Sequence, residues 1–333
     1  RTDASSSQLV MRSGNPAPGV IGGSFSDLDG ISETYRQVFG AAGQVGFYAR
    51  VSGAEIDSLH NDALWTGAPG LTSLIVREGS SLPGAPPDAV FGLSSASSPY
   101  TPPIRMNGSG AVAFAGRMTP SFNGLWTSSG GGTTLVVGTG TTLPGVGAPL
   151  DSPGSFSINN NGQMVFTGVY SAELRGMWRV SNGALELVAH EGQAVHGMES
   201  GVAFGNVSGG TIDATGRVCF NAFLTGPGIN NQNNTAIFAS DSSEDLRLVA
   251  REGEIAPGAA GERFTSFSGR AMNAAGAIAF SAQLTGATSE LGLWVSDPVL
   301  GLVPIAIPNT LFEVAPGDVR LVSRVRTLFT PET

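Results

Sequence analysis

Three short motifs recur in fixed order along the chain, and this recurrence restricts the fold more than any other feature. The first is Asn-x-x-Gly-x-Val-x-Phe, seen at Asn107/Gly110/Val112/Phe114, Asn159/Gly162/Met164/Phe166, Asp213/Gly216/Val218/Phe220 and Asn273/Gly276/Ile278/Phe280, with a worn copy at Gly40/Gly43/Val45/Phe47. The second is a small residue, an apolar one and an aromatic: Ala63-Leu64-Trp65, Gly124-Leu125-Trp126, Gly176-Met177-Trp178, Ala236-Ile237-Phe238 and Gly292-Leu293-Trp294. The third is Leu-Val-x-Arg-Glu-Gly before a Pro-Gly turn, complete at 74–79 and 248–253, varied at 187–192 with His196-Gly197, and partial at 9–14 and 135–140. The turn glycines 19, 84, 145, 197, 258 and 317 are spaced by 65, 61, 52, 61 and 59 residues. A period of this size belongs to solenoids, propellers or arrays.

Each motif reads as strand plus turn. Asn-x-x-Gly supplies the positive φ that a tight hairpin requires, and Val-x-Phe places two apolar side chains on one face of the outgoing strand. Pro presets φ at a turn and Gly takes the positive value after it. With the extended segment after each Pro-Gly, a unit holds four short strands, which is the specification of a propeller blade. The expectation is therefore an all-β fold, a single β-propeller domain over 1–333 with units at about 20–84, 85–145, 146–197, 198–258 and 259–317. No segment keeps a helical apolar period for three turns, and Ile31 to Phe39 is too short and mixed.

The ends of the repeat leave a remainder. Gln8 to Arg12 reads as a lone fourth strand and Asp318 to Phe329 as a lone first strand, so five full units plus a shared or incomplete sixth are expected. Open strands of that kind invite strand addition. The expected partner is a further copy of the same chain, or another surface protein, completing the terminal blade. The polar start from Arg1 to Ser7 reads as a processed N-terminus.

Composition then removes functions. The 333 residues include no Lys, and 17 Arg stand against 26 Asp plus Glu, a net charge of −9. A Schiff-base lysine and a Walker-type phosphate loop are excluded, and an acidic chain is a poor nucleic-acid binder. No run reaches the roughly 18 apolar residues of a membrane-spanning helix. The single Cys219 sits in an apolar strand, which suits a core residue better than a nucleophile.

The Asn-x-x-Gly-x-x-x-Phe signature, the Gly-Leu-Trp step and the Leu-Val-Ala-Arg-Glu-Gly ending resemble the bacterial surface-protein family of tandem NxxGxxxF repeats, the choice-of-anchor type. The resemblance runs from Leu9 to about Phe329. It implies export to the cell surface, typically with a C-terminal anchoring signal that this sequence does not show, and it implies no reaction.

Candidate chemistry is sparse. Arg77/Glu78, His190/Glu191 and Arg251/Glu252 occupy equivalent blade ends and could ring a binding site, or could simply secure the turn. Gly138-Thr139 has lost both charges. Asp27, Asp29 and Glu33 form a carboxylate cluster that could take Ca2+, without the ligand spacing of an EF-hand; Asp241 to Asp245 is a weaker cluster. His60, His190 and His196 lack a clear third metal ligand. The Trp set reads as blade core in preference to a sugar-stacking surface. Asn107, Asn206 and Asn233 stand in Asn-x-Ser/Thr triplets. These features favour a noncatalytic extracellular structural or adhesive module, with a polysaccharide-acting enzyme or a lectin-like binder as the alternative.

Overall fold

The computed structural model describes residues 8–27, 37–57, 59–92, 94–95, 98–99, 103–171, 173–240, 245–286, 291–322 and 325. Among them there is no helix, and the chain is all-β. Two compact units are present, one of Arg1–Leu143 with Gly147–Pro153 and the other of Pro144–Val146 with Gly154–Glu332.

Five antiparallel sheets follow one another in chain order, each with the four-strand meander of a propeller blade. In the first sheet β1 (Ser24–Asp27) and β2 (Gln37–Phe39) share one edge of β3 (Val45–Ser52), followed by β4 (Asp62–Gly67) and β5 (Ser73–Arg77). The second repeats this with β6 (Val90–Gly92) and β9 (Ile104–Met106) on β10 (Val112–Thr119), then β11 (Phe122–Ser129) and β12 (Gly132–Gly138); β7 (Ser94–Ser95) and β8 (Ser98–Pro99) form a small hairpin between them. In both, the first strand is one strand interrupted by an insertion.

The remaining sheets are uninterrupted. The third runs β13 (Leu150–Ile158), β14 (Met164–Tyr170), β15 (Leu174–Ser181), β16 (Ala184–His190). The fourth runs β17 (Ala203–Ile212), β18 (Val218–Thr225), β19 (Thr235–Ser240), β20 (Leu246–Arg251). The fifth runs β21 (Phe264–Met272), β22 (Ile278–Leu284), β23 (Gly292–Asp297), β24 (Gly301–Ala306).

The repeated motifs meet inside each sheet. The Phe of the first motif lies directly opposite the aromatic of the second, as Phe47↔Trp65, Phe114↔Trp126, Phe166↔Trp178, Phe220↔Phe238 and Phe280↔Trp294. The rings stack at centroid separations of 5.9 to 6.3 Å, and all ten are buried. Aromatic pairs of this geometry contribute about 0.5–1.5 kcal/mol beyond their buried area. Where the residue two before the Trp is glycine it has a steric cause, because a Cβ on Gly124, Gly176 or Gly292 would come within 2.4 to 2.7 Å of the Trp ring.

The Leu-Val step has a different cause. In every sheet the third and fourth strands slip register at the aromatic: Leu64 pairs Val76 while Trp65 pairs Leu74, leaving Ile75 unpaired, and the same slip follows Leu125, Met177, Ile237 and Leu293. The first residue of each Leu-Val pair, Leu74 in the first sheet, therefore faces the aromatic, and the second is a β-bulge. In four sheets the indole Nε1–H then donates to the carbonyl of the Pro-Gly turn: Trp65 to Pro18 at 3.0 Å, Trp126 to Pro83 at 2.9 Å, Trp178 to Pro144 at 3.1 Å and Trp294 to Pro257 at 3.1 Å. The fourth sheet has Phe238, which has no N–H to give, and there the turn is His196-Gly197.

Turns also lock the sheets to their successors. The Oδ1 of Asn107, Asn159, Asp213 and Asn273 accepts the amide N–H four residues on, and in the last three cases also the one two residues on. The side chain after the turn glycine lies over the next sheet's turn glycine, Gln44 over Gly110 in one unit and Gln163 over Gly216 and Arg217 over Gly276 in the other. Asn159 Nδ2 donates to the Asp213 carbonyl at 2.7 Å.

The terminal expectations need correction. Residues 8–12 form no strand, since no ladder partner reaches them among the described residues, yet Val10 and Met11 pack on the first sheet's core. Gly14 keeps the bond its equivalents make, donating to Phe25 O as Gly79 does to Phe91 O. At the other end, β26 (Asp318–Leu321) is not a lone first strand. It pairs with β25 (Leu311–Ala315), and Pro316-Gly317 is the tight turn of that two-stranded hairpin, Gly317 with φ +78°. The rest of the expected strand, to Phe329, and Ile31 to Arg36 lie outside the described residues, while Gln37–Phe39 is strand.

Candidate functional site

The repeated Arg-Glu positions end the fourth strand of their sheets, and the glutamates are spent on the backbone. Glu78 donates its N–H to Asp62 O at 3.0 Å, and its Oε2 accepts the Asp62 N–H at 3.1 Å. Glu191 makes the same pair of bonds with Arg175 (2.8 and 3.3 Å) and Glu252 with Thr235 (2.9 and 3.2 Å). Each carboxylate thus closes the last rung of the ladder between the third and fourth strands. Thr139, the copy without charge, does so too: its N–H donates to Asn123 O at 2.8 Å and its Oγ1 accepts the Asn123 N–H at 3.1 Å. A hydroxyl that replaces a carboxylate without loss of the bond identifies the position as a ladder cap. In the fifth sheet, Pro308 stands at this point, with neither an N–H nor a polar side chain.

The basic partners diverge. Arg77 makes no ion pair among the described residues, Arg251 Nε donates to Asn233 O at 2.7 Å, and His190 Nδ1 lies 2.8 Å from Glu191 O and 3.4 Å from the Tyr170 hydroxyl. Burial, with the Glu191 charge adding, pushes the Tyr170 hydroxyl up from its usual value.

Other sequence candidates do not assemble. Asp27 ends β1, and the rest of its proposed Ca2+ cluster, Asp29 and Glu33, lies outside the described residues, as do 241–244. Among the described residues no three His, Cys, Asp or Glu side chains are grouped to hold a metal ion. His60 pairs with Asp57 at 2.7 Å, His190 is held as above and His196 is exposed. The four tryptophans are fully buried, so none offers a stacking surface; Cys219 is buried too, and burial pushes its thiol up against the opposing pull of Arg270. Asn107 is 1% exposed with its Oδ1 bonded inside the turn, so the folded protein does not present it for glycosylation.

One cleft gathers polar side chains that the motifs did not single out, apart from Arg251 and Glu252. It has a volume of about 540 Å³ and lies in the second unit between the β18–β19 loop, the end of β20 and the start of β21. Asn231, Gln232, Arg263 and Glu254 line it together with the two motif residues. Burial raises the carboxyl pKa of Glu252 and of Glu254, hydrogen bonds with Thr235 and with the Arg251 backbone opposing it in turn. The Asn/Gln run 230–234 was the one available signal in the sequence, and it belongs to a loop that no repeat motif marks.

The raised Glu252 carboxyl gives a pH prediction. A carboxyl whose folded pKa exceeds its unfolded value binds protons more tightly in the folded state, so its charge costs stability at neutral pH and the cost disappears as pH falls through the folded value toward 4.5. Glu252→Gln keeps an acceptor for the Thr235 N–H. Its urea midpoint should match or exceed the parent's at pH 7, with the advantage gone at pH 4.5; an advantage that persists at low pH would contradict this account.

No helix of the described residues is long and apolar enough to cross a membrane. No curated protein matches the sequence. Solved structures similar in outline include a gluconolactonase from Xanthomonas campestris (13% identity, 85% of this chain and 79% of that one, TM-score 0.36) and an α-L-arabinanase from Penicillium chrysogenum complexed with arabinobiose (13%, 81% and 80%, 0.37). The six-bladed β-propeller lectin of Aleuria aurantia is a third (11%, 82% and 80%, 0.32). At these scores none of them bears on what this chain does. The sequence does match a family of unknown function, DUF7453, over residues 1–331, and the chain belongs to that family.

Proposed function

We propose that this chain is a noncatalytic module that works outside the cytoplasm and associates with a second copy of itself through the β25–β26 hairpin. The carrying observation is the exposure of that hairpin. Leu311, Val319 and Leu321 are exposed on one face, Phe312 on the other and Val314 at the bulge, at 42 to 73% of their full surface. A two-stranded hairpin with no covered face is marginal alone, and apolar exposure of this kind marks interaction sites. The five blade sheets each have at least four strands. The same chain carries a spare fourth-strand sequence, Leu9 to Arg12, that joins no ladder among the described residues. An exposed hairpin at one end and a strand-like segment outside any ladder at the other favour head-to-tail contact between copies. Export is supported by the tandem signature of the sequence, and the noncatalytic reading by glutamates engaged in capping backbone.

Light scattering across a concentration series is the test. The mass should rise above that of one chain with concentration, and Leu311→Asp with Val319→Asp should hold it at one chain while leaving the melting temperature unchanged. A parent protein that stays at single-chain mass throughout overturns the proposal.

A further inference from the structure

The cleft between the fourth and fifth sheets is built from a loop longer than its hairpin requires. β10 and β11 are joined by residues 120–121 and β14 and β15 by 171–173, whereas β18 and β19 are joined by 226–234, a connection matched in length by 53–61 between β3 and β4. Two of the added asparagines hold the loop in shape. Asn230 N–H donates to Asn233 Oδ1 at 2.7 Å, Gln232 N–H to Asn230 Oδ1 at 2.9 Å, and Asn233 Nδ2 to Gly228 O at 3.0 Å. The side-chain amides of Asn231 and Gln232 between them are exposed and bonded to no described residue. Insertions held rigid on a repeated scaffold are where binding residues concentrate.

Facing them, two guanidinium groups are each fixed by one N–H to a backbone carbonyl, Arg251 Nε to Asn233 O at 2.7 Å and Arg263 Nη1 to Gly253 O. The remaining N–H groups of both have no acceptor among the described residues. Glu252 and Glu254 line the same cleft, so the two positive and two negative groups cancel. An anion would meet two carboxylates and a cation two guanidiniums. Its one large apolar residue, Phe264, is 1% exposed and offers no surface to an apolar side chain. What remains is a set of polar groups, the amides donating and accepting, the guanidiniums donating and the carboxylates accepting, matched by a ligand whose groups do both. Hydroxyl groups do so, and the cleft volume falls in the usual range of about 300–1,000 Å³ for small-ligand sites.

We infer that this cleft binds a short neutral saccharide, held by the amides of Asn231 and Gln232 and the free N–H groups of Arg251 and Arg263. The site is independent of the hairpin association proposed above. The test uses the full chain labelled with 15N and three neutral probes, maltotriose, cellotriose and chitotriose, with tri-galacturonic acid and tri-alanine as contrasts. At least one neutral probe should shift the Asn231 and Gln232 side-chain signals saturably, and Asn231→Ala with Gln232→Ala should weaken that binding by roughly tenfold with an unchanged melting temperature. Both side chains are exposed and unbonded, so the double variant should fold normally. The inference is overturned by no saturable shift with any neutral probe, by binding of the uronate or the peptide alone, or by equal binding in the double variant.

Discussion

Trp126→Ala is expected to cost about 3–5 kcal/mol, the range for truncating a large buried aromatic, and to be among the most damaging single changes in the first unit. Three losses coincide. The indole is wholly buried in the second sheet's core, stacks on Phe114 at 6.0 Å and meets Phe122 edge-on at 6.1 Å. Its Nε1–H is the donor to the Pro83 carbonyl at 2.9 Å, so truncation also strips the turn that opens the blade of its link to the core. Trp126→Phe separates these effects. Phenylalanine keeps the ring packing, as Phe238 does on Phe220 at 5.9 Å, and leaves the Pro83 carbonyl without its donor, which costs about 1–3 kcal/mol. Chemical denaturation of the two variants measures both. If Trp126→Phe unfolds at the same urea concentration as the parent, the indole-to-turn bond contributes nothing and the pairing of Trp with Pro has another cause.

Asp213→Ala should be nearly as severe, at about 3–5 kcal/mol, because it removes both the partner of the Arg217 guanidinium and the acceptor of two turn amides. The Asp213 carboxylate has no exposed surface. Its Oδ1 accepts from the Thr215 and Arg217 amides at 2.8 and 2.9 Å, and its Oδ2 accepts from Arg217 Nε at 2.8 Å. Arg217 held in this way donates to the carbonyls of Ala274 and Ala275 in the next sheet's turn. The alanine variant would open one turn and loosen the next, and amide exchange at Gly276 and Ala277 should quicken with it. Asp213→Asn is the informative control, because Asn107, Asn159 and Asn273 hold the equivalent turns with one oxygen. It should keep its own turn and lose chiefly the carboxylate charge that pairs with Arg217, at about 1.5–3 kcal/mol. An alanine variant no worse than the asparagine one would show that the turn does not depend on its Asx oxygen.

The repeat made the architecture readable, because its motifs encode contacts internal to one unit. Val-x-Phe and Gly-Leu-Trp face each other across neighbouring strands, so alternation and spacing suffice to find them. What joins a motif to something distant in sequence was not readable. Trp126 and Pro83 each looked like a local feature, and the bulge residue of Leu-Val had the appearance of an ordinary strand position. The terminal remnant was misjudged for the same reason: Ala315-Pro316-Gly317 carries the letters of a unit-opening turn, while its neighbours Leu311–Ala315 and Asp318–Leu321 pair with each other across it. At the candidate site the bias ran the other way. Repetition drew attention to Arg77/Glu78 and its relatives, which repeat because the glutamate closes the ladder between the third and fourth strands of its sheet. The cleft side chains Asn231 and Gln232 occur in one unit only, so periodicity could not mark them.

The reach of Gln163 over Gly216 and of Arg217 over Gly276 sets how such a chain can change its length. The residue that reaches forward and the glycine that receives its neighbour's reach lie side by side in one hairpin, so a duplicated block carries both halves of the joint. Gain or loss of a whole unit regenerates the same junction on each side, whereas a deletion that ends inside a unit leaves one half without the other. Growth and shrinkage by genetic duplication should accordingly proceed in steps of one complete period of roughly 50 to 60 residues, with partial units tolerated only at the two termini.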